Sequence, residues 1–117
     1  MKYGTISGLD KPVSRLVLGC ADLKDTALLD AALDAGVNAF DTAHVYGGSE
    51  ALLGRWLKGR DLSRLVIETK GCHPGPLRPD RVTPACLVKD VEESLRRLGV
   101  DCIDLFLLHR DSRRAEV

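Results

Sequence analysis

VNAFDTAHVYGGSEALLGRWLKGRDLSRLVIETK, residues 37–70, is the stretch from which the architecture is read. It opens on an apolar run, Val37-Asn38-Ala39-Phe40, that delivers Asp41, and closes on Leu65-Val66-Ile67-Glu68-Thr69, which delivers Lys70. Runs this short and this apolar read as strands. Between them a loop carries Tyr46 and Gly47-Gly48, then Leu53, Trp56 and Leu57 recur at i, i+3, i+4. That is one face of a helix, with Ser49 available to cap its start and Gly59 its finish. Two parallel strands joined through a helix need a long crossover, and such crossovers are right-handed.

The same alternation extends in both directions. Toward the N-terminus, Lys2 to Arg15 reads as a short hairpin, with Tyr3, Thr5, Ile6 and Val13 flanking the turn residues Gly8-Leu9-Asp10-Lys11-Pro12. Leu16-Val17-Leu18 then predicts a buried parallel strand ending at Gly19-Cys20. A helix follows, capped by Asp25 and stopped by Gly36, with Leu28, Leu29, Ala32 and Leu33 forming a broad apolar face. Toward the C-terminus, Gly71 to Asp80 is a Pro/Gly loop, and Thr83-Pro84 is a helix start with a capping hydroxyl and a proline at the first helical position. Val88, Val91, Leu95 and Leu98 make its apolar stripe and Gly99 its stop, with Arg96 and Arg97 at the negative end of the dipole and Glu92 placed to pair with Arg96. Ile103 to Leu108 is the last strand, ending at His109. Hairpin, then βα, βα, βα, β, is the expected order.

Four parallel strands and three helices behind a hairpin make a partial (β/α)8 TIM barrel, since a complete one needs roughly 250 residues and this chain has 117. A doubly wound open sheet shares the local pattern, but Gly19-Cys20-Ala21-Asp22 lacks the glycine fingerprint that the first turn of a Rossmann domain carries. Residues 1–117 are read as one incomplete barrel domain, with DSRRAEV, Asp111 to Val117, not supplying the helix that would return after the last strand. Seventeen basic residues balance seventeen acidic ones without a basic stripe, which gives no support to nucleic-acid or membrane-surface binding. No apolar run approaches the roughly 18 residues of a membrane span. Cys20, Cys72, Cys86 and Cys102 are scattered, with no CxxC pair, and the expected setting is reducing and cytoplasmic.

Asp41, Tyr46, Lys70 and His109 each fall at or just after the C-terminal end of a predicted strand, the end at which parallel barrels do chemistry. Together they suit reduction of a carbonyl, in which charge builds on oxygen and an acid must deliver a proton. A phenol holds its proton at neutral pH, so Tyr46 can be that acid. The Lys70 ammonium can stabilise the phenolate, Asp41 can hold Lys70 charged and oriented, and His109 can hydrogen-bond the carbonyl oxygen.

The segment FDTAHVYGGSEALLG, Phe40 to Gly54, resembles the signature of the aldo/keto reductase family, in which aspartate ends the second barrel strand and tyrosine follows five residues later. VIETK, Val66 to Lys70, resembles that family's lysine strand, and IDLFLLHR, Ile103 to Arg110, its histidine strand. The resemblance spans nearly the whole chain, hairpin included. It implies Asp41, Tyr46, Lys70 and His109 as a catalytic tetrad with Tyr46 as general acid, a small-molecule carbonyl substrate, and NADP(H) bound in extended form. Gly19, Cys20 and Asp41 match positions near the nicotinamide. It also implies that the strands binding most of the cofactor are missing, so the chain reads as the N-terminal half of a reductase and is expected to bind NADPH weakly, if at all, when alone.

Two other readings use the same sequence. Cys20, His44, Cys72, His73 and His109 form an alternative set of zinc ligands, though no pair has HxH or CxxC spacing and no metal is expected. A non-catalytic binding or regulatory module is the other, since open strand edges and uncovered apolar side chains favour self-association, with a dimer closing an eight-stranded ring.

Overall fold

The computed structural model describes residues 1–77 and 81–111, so Arg78 to Asp80 of the Pro/Gly loop and Ser112 to Val117 of the tail lie outside the described residues. Strands β1 (Tyr3–Gly4) and β2 (Val13–Ser14) form the antiparallel hairpin. The order then runs β3 (Val17–Gly19), α1 (Ala27–Asp34), β4 (Ala39–Asp41), α2 (Ser49–Leu57), a 3-10 turn at Leu62–Arg64, β5 (Val66–Gly71), α3 (Pro84–Leu98) and β6 (Leu105–Leu108). Strands β3, β4, β5 and β6 are all parallel and lie side by side in chain order. This is the expected partial barrel. The short 3-10 turn, in which Asp61 accepts from the Ser63 N–H at 2.9 Å, is an addition to the expected order.

Because side chains alternate along a strand, the sheet has two unlike faces. Leu18, Phe40 and Ile67 point toward the helices, where they pack with Cys20, Leu29, Leu52, Leu53, Trp56 and Leu98. Phe40 and Trp56 are stacked at a tilt, 4.9 Å between centroids. On the other face Ala39 and Val66 meet Val13, with Leu9 and Leu105 alongside, so the hairpin closes the floor of the half-barrel. Asn38 fastens that floor: its side chain accepts from the Ser14 N–H at 2.8 Å and donates to the carbonyls of Pro12 and Arg64 at 2.7 and 2.8 Å. Lys11 adds an ion pair to Asp104 at 2.7 Å, and Asp104 accepts from the Ile67 N–H at 2.8 Å.

Helix ends follow the sequence closely, with shifts that have physical reasons. Thr83 caps α3 by accepting from the Cys86 N–H at 3.3 Å, Pro84 sits at its start, and Gly99 ends it in the left-handed conformation at φ 66°. After α1, Gly36 at φ 89° bonds back to Leu33 and Val37 to Ala32, the paired closure that a glycine stop produces. Asp25 bonds the Ala27 N–H at 2.9 Å from one residue outside the cap position, which Thr26 holds. Ser49 is the first residue of α2 rather than its cap, because its hydroxyl is spent on the Cys20 carbonyl at 2.6 Å and on Thr42 at 2.8 Å.

Three packing expectations are corrected. Val17 is 48% exposed, not buried, because β3 is an edge of the described sheet. Leu28 is 52% exposed, which narrows the face of α1 to Leu29 with Ala32 and Leu33 beside it. The inward stripe of α3 is Asp90, Ser94 and Leu98, whereas Val88 is 57% exposed, and the i,i+4 ion pairs on that helix join Glu93 to Lys89 and to Arg97 rather than Glu92 to Arg96. Helices α2 and α3 touch at Gly54, where a Cβ would lie 2.6 Å from the carbonyl oxygens of Arg97 and Leu98. No helix among the described residues is long and apolar enough to cross a membrane.

Candidate functional site

The sheet register sets Asp41 beside Gly19 on one side and Glu68 on the other. Lys70 lies two residues beyond Glu68 on the same face of β5, inside the strand rather than after it. Its ammonium is ion-paired to Asp41 Oδ1 and donates to the Thr42 carbonyl at 3.0 Å. Both partners are partly shielded, with side-chain exposures of 17% for Lys70 and 26% for Asp41. The Lys70 nitrogen also stands 5.4 Å from the centre of the Tyr46 ring. Tyr46 in turn meets His109 edge-on, 5.6 Å between centroids at 88°. The His109 N–H donates to the Gly71 carbonyl at 2.9 Å, which fixes the last described strand end against β5. All four polar residues singled out in the sequence therefore gather at one rim.

The loop that carries Tyr46 is anchored at each step. Thr42 N–H bonds the Glu68 carbonyl and His44 N–H the Lys70 carbonyl, both at 2.9 Å, continuing the parallel ladder past β4. His44 Nε2 is 2.7 Å from Glu93 Oε2, and Arg97 donates to the His44 carbonyl at 3.0 Å. Arg97 also reaches Glu50 at 3.2 Å, a fully buried carboxylate that accepts from the Thr69 hydroxyl at 2.8 Å. Buried charge is costly unless paired and hydrogen-bonded, and Glu50 is both. Tyr46 is thus held by a loop whose ends are bolted to β5, α2 and α3.

Proton affinities vary sharply across the rim. Burial pushes the Cys20 thiol up to about 12, with the Asp41 charge adding to it. Cys20 is fully enclosed, its Sγ 3.4 Å from the Leu18 carbonyl, whereas its neighbours Gly19 and Ala21 reach the surface. Glu68 is raised above the usual carboxylate range by burial first, then by the Asp41 charge and a hydrogen bond to Asp41, with Lys70 opposing. His109 is lowered by burial, then by His73, Lys70 and Arg110, against a smaller opposite pull from Asp41. Among the described residues, its Nδ1 and Ser94 Oγ are the buried side-chain polar atoms without a hydrogen-bond partner.

Sequence reasoning missed Glu68, whose nearness to Asp41 follows from the register alone, and it missed the role of Asp90. Burial raises the Asp90 carboxyl, but Arg81, the Cys72 N–H and His44 outweigh it and hold it below the ordinary value. The proposed zinc set is not assembled: Cys72 is fully buried with its thiol raised by burial, and the metal-capable group within 4.8 Å among the described residues is His44, Asp90 and Glu93. Arg81 contacts Asp90 at 2.5 Å and Arg97 contacts Glu93 at 3.4 Å, so those carboxylates already face positive charge. A cavity of about 750 Å³ beside them is lined by His44, Val45, His73, Leu77, Arg81 and Glu93, among others.

The model of the Aldo/keto reductase family matches residues 18–116. The chain is 46% identical over 87 residues to Aldo-keto reductase str7 of Strobilurus tenacellus, covering 71% of this chain and 24% of that protein. It is 42% identical over 93 residues to 6-dehydroglucose reductase of Novosphingobium aromaticivorans, covering 71% and 30%. Among solved structures, aldo-keto reductase AKR11C1 from Bacillus halodurans in its holo form superposes with a TM-score of 0.83 at 32% identity, over 96% of this chain and 41% of that one. The chain therefore spans a quarter to a third of those curated relatives and less than half of that solved structure.

Proposed function

Because the chain belongs to the aldo/keto reductase family, we propose that it carries the proton-transfer part of an NADP(H)-dependent site that reduces an aldehyde or ketone to an alcohol. The observation that carries this reading is the convergence of Lys70, ion-paired to Asp41, with Tyr46 and His109 at one strand-end rim. The chemistry of that donor set fits a nicotinamide: a phenol, an ammonium and an imidazole deliver protons and hydrogen bonds, and none of them delivers electrons. Gly19 and Asp41, adjacent in the register, are the residues that would hold it, with Cys20 buried behind them. When bound, the reduced cofactor supplies a hydride to the carbonyl carbon.

Tyr46 donates its phenolic proton to the carbonyl oxygen as charge builds there. The Lys70 ammonium stabilises the phenolate left behind, and is held in place by the hydrogen bonds it donates to Asp41 and the Thr42 carbonyl. His109 donates a hydrogen bond to the same oxygen, polarising the carbonyl and orienting it. A depressed proton affinity suits that role, since it keeps His109 a neutral donor at neutral pH. The apolar floor of Val13, Ala39, Val66 and Leu105 bars water from beneath.

The test follows NADPH absorbance with a panel of aldehydes and ketones, comparing the protein as its source cell makes it with Tyr46→Phe. Turnover is expected to fall by roughly 10²- to 10⁴-fold with folding retained, the range for loss of a general acid. Equal turnover in both would remove Tyr46 from the role.

A further inference from the structure

The corner between β5 and α3 holds the backbone in an unusual state. Cys72 has φ 59°, the left-handed region that non-glycine residues seldom enter. It is fully buried, and its N–H donates to Asp90 Oδ2 at 2.8 Å, while Asp90 Oδ1 takes Arg81 at 2.5 Å. The chain is thereby bent out of the strand at a place where Asp90 of α3, itself paired to Arg81 of the preceding loop, holds the bend. The next residue, His73, is delivered against His109: the ring centroids are 4.7 Å apart and the planes stand at 90°.

His73 is itself locked. Its Nδ1 lies 2.7 Å from the Pro74 carbonyl, and a carbonyl oxygen only accepts, so that nitrogen carries the proton. His109 has no such tie, because its Nδ1 is buried without a hydrogen-bond partner. Elsewhere a functional imidazole is oriented by a hydrogen bond to its second nitrogen. Here two perpendicular rings, His73 on one contact and Tyr46 on another, stand in for it.

We propose that His73 is a positioning residue for His109: the Cys72 bend delivers it, the Pro74 carbonyl fixes its ring, and the ring contact sets the plane in which His109 offers Nε2 to a carbonyl oxygen. Its meaning for catalysis rests on the reductase reading above. The same contact has an electrostatic side. A proton on His73 opposes one on His109, in concert with Lys70 and Arg110 and against Asp41, with the Tyr46 ring as the remaining neighbour.

Imidazole NMR of the full chain tests this, reading the His109 titration midpoint and its cross-relaxation with the Tyr46 ring in wild type, His73→Ala and His73→Phe. In His73→Ala the midpoint is expected to move up and the cross-peaks to be lost. His73→Phe returns a ring without the charge, so it should recover the cross-peaks and leave the midpoint raised. Unchanged midpoint and cross-peaks in all three would overturn the proposal. Where His73→Ala fails to fold, His73→Phe decides: a raised midpoint with cross-peaks kept supports the assignment, and an unmoved midpoint defeats it. None of these readouts needs turnover, so a failure of carbonyl reduction is distinguished from a failure of His73 to position His109.

Discussion

On the helix-covered face of the parallel sheet, Phe40, Ile67 and Thr69 are almost wholly removed from water. On the opposite face Asp41, Glu68 and Lys70 come from the same two strands, one residue out of step, and stay partly exposed. Period-two alternation lets one pair of strands serve both ends: one set of side chains supplies cohesion under the helices, and the other supplies charge at the rim above the buried Ala39 and Val66. At the strand ends, stability and chemistry are therefore separable by position parity, and substitutions there should respect that division.

The division breaks most severely at Phe40. Phe40→Ala removes a fully buried ring that stacks on Trp56, and a loss of about 3–5 kcal/mol in urea unfolding is expected; a loss below 1 kcal/mol would mean that the helix layer is not cohesive as described. Gly54→Ala comes next. Its new methyl would meet backbone carbonyls of α3, which cannot move aside as a side chain tip can, so about 1–3 kcal/mol is expected to be lost. A neutral result would show that α2 and α3 are free to separate. Lys70→Met sharpens the contrast from the other face. Stability should drop by only about 1 kcal/mol, since the ion pair with Asp41 is partly solvated, while any carbonyl reduction should fall far more steeply.

The pH response is expected to be the smallest effect. His109 titrates below its ordinary value of 6.5, so its contribution to stability is complete above 6.5 and is lost as pH falls through its lower folded value. Asp90 follows the same sign below 3.8. Glu68 runs the other way: raised above 4.5 by burial, its contribution is present at low pH and lost as pH rises through the folded value. Urea midpoints between neutral and acid pH should decline in wild type and decline less in His109→Gln. Parallel curves for the two proteins would mean that His109 titrates as it does when unfolded.

Much of this was legible because local chemistry and tertiary demand coincide. Thr83-Pro84 and Gly99 bound α3 where the sequence placed its ends, and the rim residues were visible as polar groups punctuating apolar runs. Where they diverge, the sequence misled. Asp90 and Ser94 face inward in place of Val88, because Asp90 is drawn in by Arg81 and by the buried N–H of a bent backbone 18 residues away. A hydrophobicity pattern has no means of recording that attraction. Nor does a cysteine announce a left-handed backbone, which is why the Cys72 bend went unread and His73 beyond it was weighed only as a zinc ligand. Ser49 offered a capping hydroxyl, and only the three-dimensional approach of the Cys20 carbonyl diverted it.

One further consequence lies in the order of the strands. β3, β4, β5 and β6 neighbour one another in the sequence in which a ribosome would release them. Among these four strands, each new βα segment therefore finds its docking edge already formed by the segment before it. Assembly can proceed vectorially, as a growing ladder, and the search for contacts at every stage remains local.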